Sequence, residues 1–261
     1  MKTFITGIMV GVANIIPGLS GGTILVLSGL YEDVLSAIKS PFKNLLFLFL
    51  LGTGVVLGLG TFALTIDFLF EIAEIPLLFF FMGLVIGGAL LFYQLEIVMA
   101  KEVFHPITVI IAFLGVLLLD FIPPGLLEPS TPLLLTTGFL AGATMILPGL
   151  SGALLFLILG QYQIAIDLVV QLLEFDFSVL PTIIGLGVSG VAGVVVMSFL
   201  MSYLLQNKRN LILNIILGLI LGSVYQITPT SVIDWTWISA LISLPLGIYI
   251  GFMVPQIKTR T

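Results

Sequence analysis

Residues 7–31 read GIMVGVANIIPGLSGGTILVLSGLY, and residues 138–162 read GFLAGATMILPGLSGALLFLILGQY. At an offset of 131, ten of the 25 positions are identical, among them Pro17/Pro148, Gly18/Gly149, Ser20/Ser151, Gly21/Gly152 and Tyr31/Tyr162. Downstream, at an offset of 135, Gly52/Gly187, Gly58/Gly193, Gly83/Gly218 and Gly87/Gly222 also coincide. PGLSG is not generic apolar sequence, so the chain reads as two homologous halves, 1–130 and 131–261.

The rest of the composition says where these halves reside. Of 261 residues, 59% are apolar and only 8% charged, against about 25% charged in a soluble domain. Mean hydropathy is +1.31, and long apolar runs recur throughout, the pattern of a polytopic helical membrane protein. A net charge of -5 without a basic stripe excludes nucleic acid as a partner. The absence of cysteine and the single His105 exclude thiol chemistry and multi-histidine metal sites, so no metal or other cofactor is expected. The N-terminus lacks a small-residue cleavage site and runs into the Pro-Gly break, so it reads as mature protein.

Each half holds one broken segment and three plain spans. The first comprises 3–38, interrupted at 17–22, then spans at about 44–66, 75–99 and 106–121. The second comprises 133–165, interrupted at 148–152, then about 179–205, 211–227 and 236–254. Each arm of 3–38 holds about 15 residues, or roughly 22 Å of helix, which passes the midplane of a ~30 Å hydrocarbon core without crossing it. If the broken segments are re-entrant, all eight Lys and Arg residues fall on one face. Asp67, Glu71, Glu74, Glu128, Asp167, Glu174, Asp176 and Asp234 then fall on the other. If they cross fully, the cations split five to three. Lys and Arg in short loops mark the cytoplasm. The expected fold is therefore all-α, with two inverted-topology repeats, each a re-entrant broken-helix hairpin plus three transmembrane helices. Both termini are placed in the cytoplasm, and the PGLSG tips meet near the midplane, the architecture of secondary transporters.

Proline stops the first arm of each hairpin, and Ser20 and Ser151 stand where an N-cap belongs. Helix N-termini, serine hydroxyls and glycine N–H groups together suit an anion of phosphate size without a cationic side chain. The candidate binding residues are Asn14, Gly18, Ser20, Gly21, Gly22, Thr23, Thr144, Gly149, Ser151 and Gly152. A nucleophilic serine would need a base within reach, and His105 lies in a loop, so the chain is not read as an enzyme. Glu32, Asp33 and Asp120 are the candidates for coupling to H⁺ or Na⁺, with Glu96 near a span end. Tyr31, Tyr162, Tyr225, Trp235 and Trp237 read as aromatic belts. Gly54–Gly58, Gly83–Gly87 and Gly218–Gly222 read as close helix contacts.

GVANIIPGLSGGTILVLSGLYE and AGATMILPGLSGALLFLILGQY resemble the polyprenyl-phosphate transporter family of bacteria and archaea, over essentially the whole chain. The sequence departs from that family's pattern at Ala153, where a hydroxyl is expected, and at Asn14, where an acid is common. The resemblance implies a flippase of the cytoplasmic membrane that returns undecaprenyl phosphate, or a related polyprenyl phosphate, from the outer to the inner leaflet. This recycles the carrier lipid of peptidoglycan and other envelope glycans. Moving one negative charge inward against an inside-negative potential costs about 2.3 kcal/mol per 100 mV, which a lipid gradient or a co-transported cation would offset. Two other readings stand beside this one: a secondary transporter of a small soluble anion using the same site, and a membrane assembly factor that transports nothing.

Overall fold

A computed structural model of the chain describes residues 1–15, 20–123, 130–229 and 238–253, without the side chains of Ile15, Ala63, Leu64, Ile66, Asp67, Asp120, Val169 and Leu173. Pro17, Gly18, Glu128, Asp234, Trp235, Trp237, Lys258 and Arg260 lie outside the described residues. In chain order the helices are α1 (Lys2–Ile15), α2 (Gly21–Leu27), α3 (Tyr31–Lys39), α4 (Leu45–Phe92), α5 (Pro106–Asp120) and α6 (Thr131–Ile146). They continue with α7 (Gly152–Ile158), α8 (Tyr162–Leu173), α9 (Leu180–Asn207), α10 (Arg209–Ile227) and α11 (Ala240–Met253). The expected spans 44–66 and 75–99 lie together in α4, whose backbone leaves helical geometry at Ala73, three residues before Pro76. Leu45–Phe62, Phe68–Met99, Phe177–Asn207 and Arg209–Ile227 are long and apolar enough to cross a bilayer. Outward-facing Val56, Ile111 and Leu241 are exposed, as the hydrocarbon solvent requires. The protein is an all-helical, multi-pass membrane protein.

The broken segments differ from expectation in one respect. The second arm is not one helix of about 15 residues but two, α2–α3 bent by 115° and α7–α8 bent by 111°. Gly29 (φ +67°) and Gly160 (φ +70°) stand at these bends in left-handed geometry, which glycine adopts without the steric penalty of a Cβ.

Glycine fixes how the helices pack. A Cβ at Gly7 would strike the Leu51 carbonyl, and one at Gly11 the Val55 carbonyl. Residue numbers rise together, so α1 runs parallel to the first arm of α4, and the chain at Leu45 is back at the end from which α1 started. The second half repeats this: Gly142 meets Gly190 and Gly193 meets Phe139, so α6 runs parallel to α9. These contacts map onto Gly11–Val55 and Gly58–Ile8 through the offsets 131 and 135. The remaining pairs are exchanged between halves. Gly83 and Gly87 press α4 onto α11 at Leu244 and Ile248, while Gly218 presses α10 onto α5 at Val109. Both pairs again run parallel. The core forms where the second arm of α4 meets α10, around Val85, Ile97, Ile216 and Ile220.

Charge separates the two ends. The Arg209 guanidinium binds Glu32 and Glu96 at 2.7 Å each, and the Lys39 ammonium lies 5.8 Å from the centre of the Phe199 ring. The start of α3, the C-terminal end of α9 and the start of α10 therefore share one end, with Lys43, Lys101 and Lys208 beside them in sequence. The kink of α4 with Glu71 and Glu74, and the turn before α9 with Glu174 and Asp176, lie at the other. The first hairpin meets the end of α6, where Gly22 lies against the Met145 and Ile146 carbonyls.

Sequence repeats do not tell a packed glycine from an idle one. At Gly58 a Cβ would collide with the Ile8 carbonyl, whereas at Gly52 it would meet nothing within 4 Å. Gly58→Ala is expected to cost about 1–3 kcal/mol, seen as a lower unfolding temperature in detergent. Gly52→Ala, equally matched in the repeat, is expected to leave that temperature unchanged.

Candidate functional site

The two breaks touch. Ser20, extended at φ -112°, ψ 147°, caps α2 by accepting the Thr23 N–H, and its hydroxyl lies 3.0 Å from that of Thr23. Asn14 Oδ1 accepts the Gly21 N–H at 3.1 Å. Both hydroxyls also receive a hydrogen bond from the other half: the Gly149 N–H donates to Ser20 Oγ at 3.1 Å and to Thr23 Oγ1 at 2.9 Å. Gly149 reaches them because its φ of +79° turns the chain back against the Leu219 carbonyl of α10. Gly22 lies against the last carbonyls of α6, at Met145 and Ile146. At the first tip two helix-start donors, the Gly21 and Thr23 N–H groups, are thus occupied by protein oxygens.

The second tip differs. Ser151 has the same extended N-cap backbone, at φ -96° and ψ 128°, but its hydroxyl makes no capping bond. It borders a cleft of about 270 Å³ whose polar lining is Asn14, Ser20, Ser151, Gly152 and Tyr162. Met145, Phe156 and Ile166 supply part of the apolar wall, and Met145 and Ile166 are themselves exposed on the outer surface. The cleft therefore sets polar groups beside apolar walls.

Other sequence candidates sit apart from it. Thr144 is buried, and its hydroxyl is turned back onto the Ala141 carbonyl of its own helix at 2.8 Å. Glu32 and Asp33 line a separate cavity of about 300 Å³ at the basic end, with Tyr31 and Glu96. Glu32 and Glu96 both bind Arg209, with Glu102 3.8 Å from its Nε. The polar partners of Ser20 are Thr23, Gly149 and the Leu147 carbonyl, not a base. His105 is exposed, and its backbone N–H donates to the buried Asn214.

Tyr31 departs furthest from the sequence reading. In place of an aromatic belt it is 6% exposed, and its hydroxyl donates to the Ile146 carbonyl at 2.9 Å. Tyr162, its repeat partner, lines the cleft. Their identity in the duplicated segment is the signal that marks them.

Two helix breaks that touch inside a multi-pass helical membrane protein, one of them bordering a cleft with apolar walls, mark its candidate site. The chain belongs to the undecaprenyl phosphate translocase-like family, which matches residues 9–244. It is 28% identical to a polyprenyl-phosphate transporter of Staphylococcus aureus over 268 aligned residues, 95% of this chain and 92% of that protein. It is also 28% identical to a polyprenyl-phosphate transporter of Vibrio cholerae over 180 residues, 62% of this chain and 58% of that protein. No solved structure matches it.

Proposed function

We propose that this protein carries a polyprenyl phosphate across the cytoplasmic membrane, from the outer to the inner leaflet, and so returns the carrier lipid to envelope synthesis. The observation that carries this reading is the lining of the cleft, polar groups beside apolar walls. A phosphate fits the apex at Ser151, Gly152, Ser20 and Asn14, while an isoprenoid tail stays along Met145 and Ile166 in the bilayer. The names of the two relatives support the same lipid class. Lys and Arg gather at one end, which the loop-charge rule places in the cytoplasm, together with both termini. Halves 1–130 and 131–261 then form inverted repeats, each a re-entrant hairpin and three spans. The parallel packing of α4 with α11 and of α5 with α10 favours this over full crossing of the broken segments, which would make both pairs antiparallel.

Co-transport of H⁺ or Na⁺ is part of the proposal. Asp33 is the freer carrier at the basic end, because Glu32 is held by Arg209. Asp120 is the remaining candidate.

Translocation of a labelled polyprenyl phosphate in proteoliposomes tests the reading. Leaflet exchange is expected to rise above protein-free vesicles with the wild type and to fall to background in Ser20→Ala/Ser151→Ala. Absence of exchange under every pH and sodium gradient, with flux of inorganic phosphate instead, would establish the small-anion reading.

A further inference from the structure

Tyr31 and Tyr162 occupy one position in the duplicated segment, each the first residue after its bend. The two side chains are in opposite states. Tyr31 is closed over the end of α6, hydrogen-bonded to Ile146, whose repeat partner is Ile15 at the end of α1. Tyr162 is 41% exposed and faces the cleft. The carbonyl at a helix end has lost its own N–H partner, and a buried tyrosine hydroxyl is a fitting replacement.

The same inequality runs through both hairpins. Five of the seven residues of α2 are buried, but only Ile158 of α7 is. α3 packs along α9, whereas among the described residues α8 makes no comparable contact with α4. Ser20 holds the opposite tip through Gly149, while the Ser151 hydroxyl is uncommitted. One half is shut and its counterpart open.

We propose that Tyr31 and Tyr162 are alternating latches: each hydroxyl locks its own hairpin onto the final helical carbonyl of the opposite half, and transport exchanges which of the two is locked. The structure holds the state with Tyr31 locked. In the other state Tyr162 donates to the Ile15 carbonyl and fills the present cleft, while Tyr31 swings out and the basic-end cavity opens. This deepens the transport reading above and rests on its two-repeat alternation. Both tyrosines are positioning residues.

The chain contains no cysteine, so a single Leu205→Cys reporter gives a clean measurement. Leu205 is buried and lines the basic-end cavity, so a maleimide reaches this position at a rate set by the alternate state. In nanodiscs, Tyr31→Phe is expected to raise that rate about fivefold, the worth of one neutral hydrogen bond. Tyr162→Phe is expected to lower it about fivefold, and the double variant to return it near the starting value. General loosening of the fold would raise the rate in both single variants. That result, or a rate unchanged by Tyr162→Phe, would overturn the latches. Labelling requires no lipid, so the expected pattern without polyprenyl-phosphate exchange would remove the substrate reading and leave the latches standing.

Discussion

Gly149→Ala is expected to abolish transport and to lower the unfolding free energy by about 3 kcal/mol. Two costs combine. The residue sits at φ +79°, where a Cβ costs about 1–2 kcal/mol. That Cβ would also collide with the Leu219 carbonyl, a backbone atom of α10 that has no rotamer to escape into, and overpacking of this kind costs about 1–3 kcal/mol. Relief would require the second tip to leave α10, taking its N–H away from Ser20 and Thr23. Thermal unfolding in detergent and lipid exchange in proteoliposomes read the two effects separately. A variant with wild-type exchange and an unchanged melting temperature would show that the tip contact is dispensable. At Gly152 the nearest atoms to a Cβ lie 3.2 Å away on Ala141, so Gly152→Ala is expected to be mild. Gly152→Leu, which puts bulk at the cleft margin, is expected to stop transport while the protein still inserts.

The two serines, matched in sequence, are expected to respond differently. The Ser20 hydroxyl is buried and accepts N–H groups from both halves. Its removal in Ser20→Ala leaves buried donors short of an acceptor, costing about 1–3 kcal/mol and lowering transport at least tenfold. Thr23 still receives Gly149, which keeps the stability loss at the lower end of that range. The Ser151 side chain makes no capping bond. Ser151→Ala is therefore expected to melt with the wild type yet to transport at least several-fold more slowly, since one hydroxyl is lost from the apex. Unchanged transport in Ser151→Ala would remove that hydroxyl from the ligand site.

Much of the architecture was legible because membrane helices are written in local signals. The apolar runs, the proline and glycine punctuation and the duplicated PGLSG each depend on neighbours within a few residues. The paired glycines at 54–58, 83–87 and 218–222 read correctly as close contacts, because little besides glycine lets two helix backbones meet. Their partners were not legible. Nothing in the sequence states that Gly83 faces α11 rather than its own half, or that Gly52 faces open space. The bends at Gly29 and Gly160 were missed because a glycine inside an apolar run marks tolerance of a turn, not the turn itself. The site divided in the same way. Ser20 and Ser151 were visible as N-caps, but the bond from Gly149 to Ser20 spans 129 residues. The Tyr31 bond spans 115 and the Arg209–Glu32 pair 177.

By itself the sequence determined a membrane-embedded, all-helical chain with a duplicated, polar-capped break and with cations confined to its two ends and a few short connections. Those properties follow from hydropathy, backbone sterics and side-chain chemistry, which act locally and are shared by both repeats. Only the tertiary structure decided that the halves are unequal. One tyrosine is buried and the other faces a cleft although the residue is the same, whereas the first tip is bonded through Asn14 and Thr23 where the second carries Met145 and Leu154. A pair of hairpins that contact each other's ends can close together or in turn, and the motif they share does not distinguish these arrangements. The choice lies in which long-range hydrogen bonds and glycine contacts form at once, a property of the packed whole.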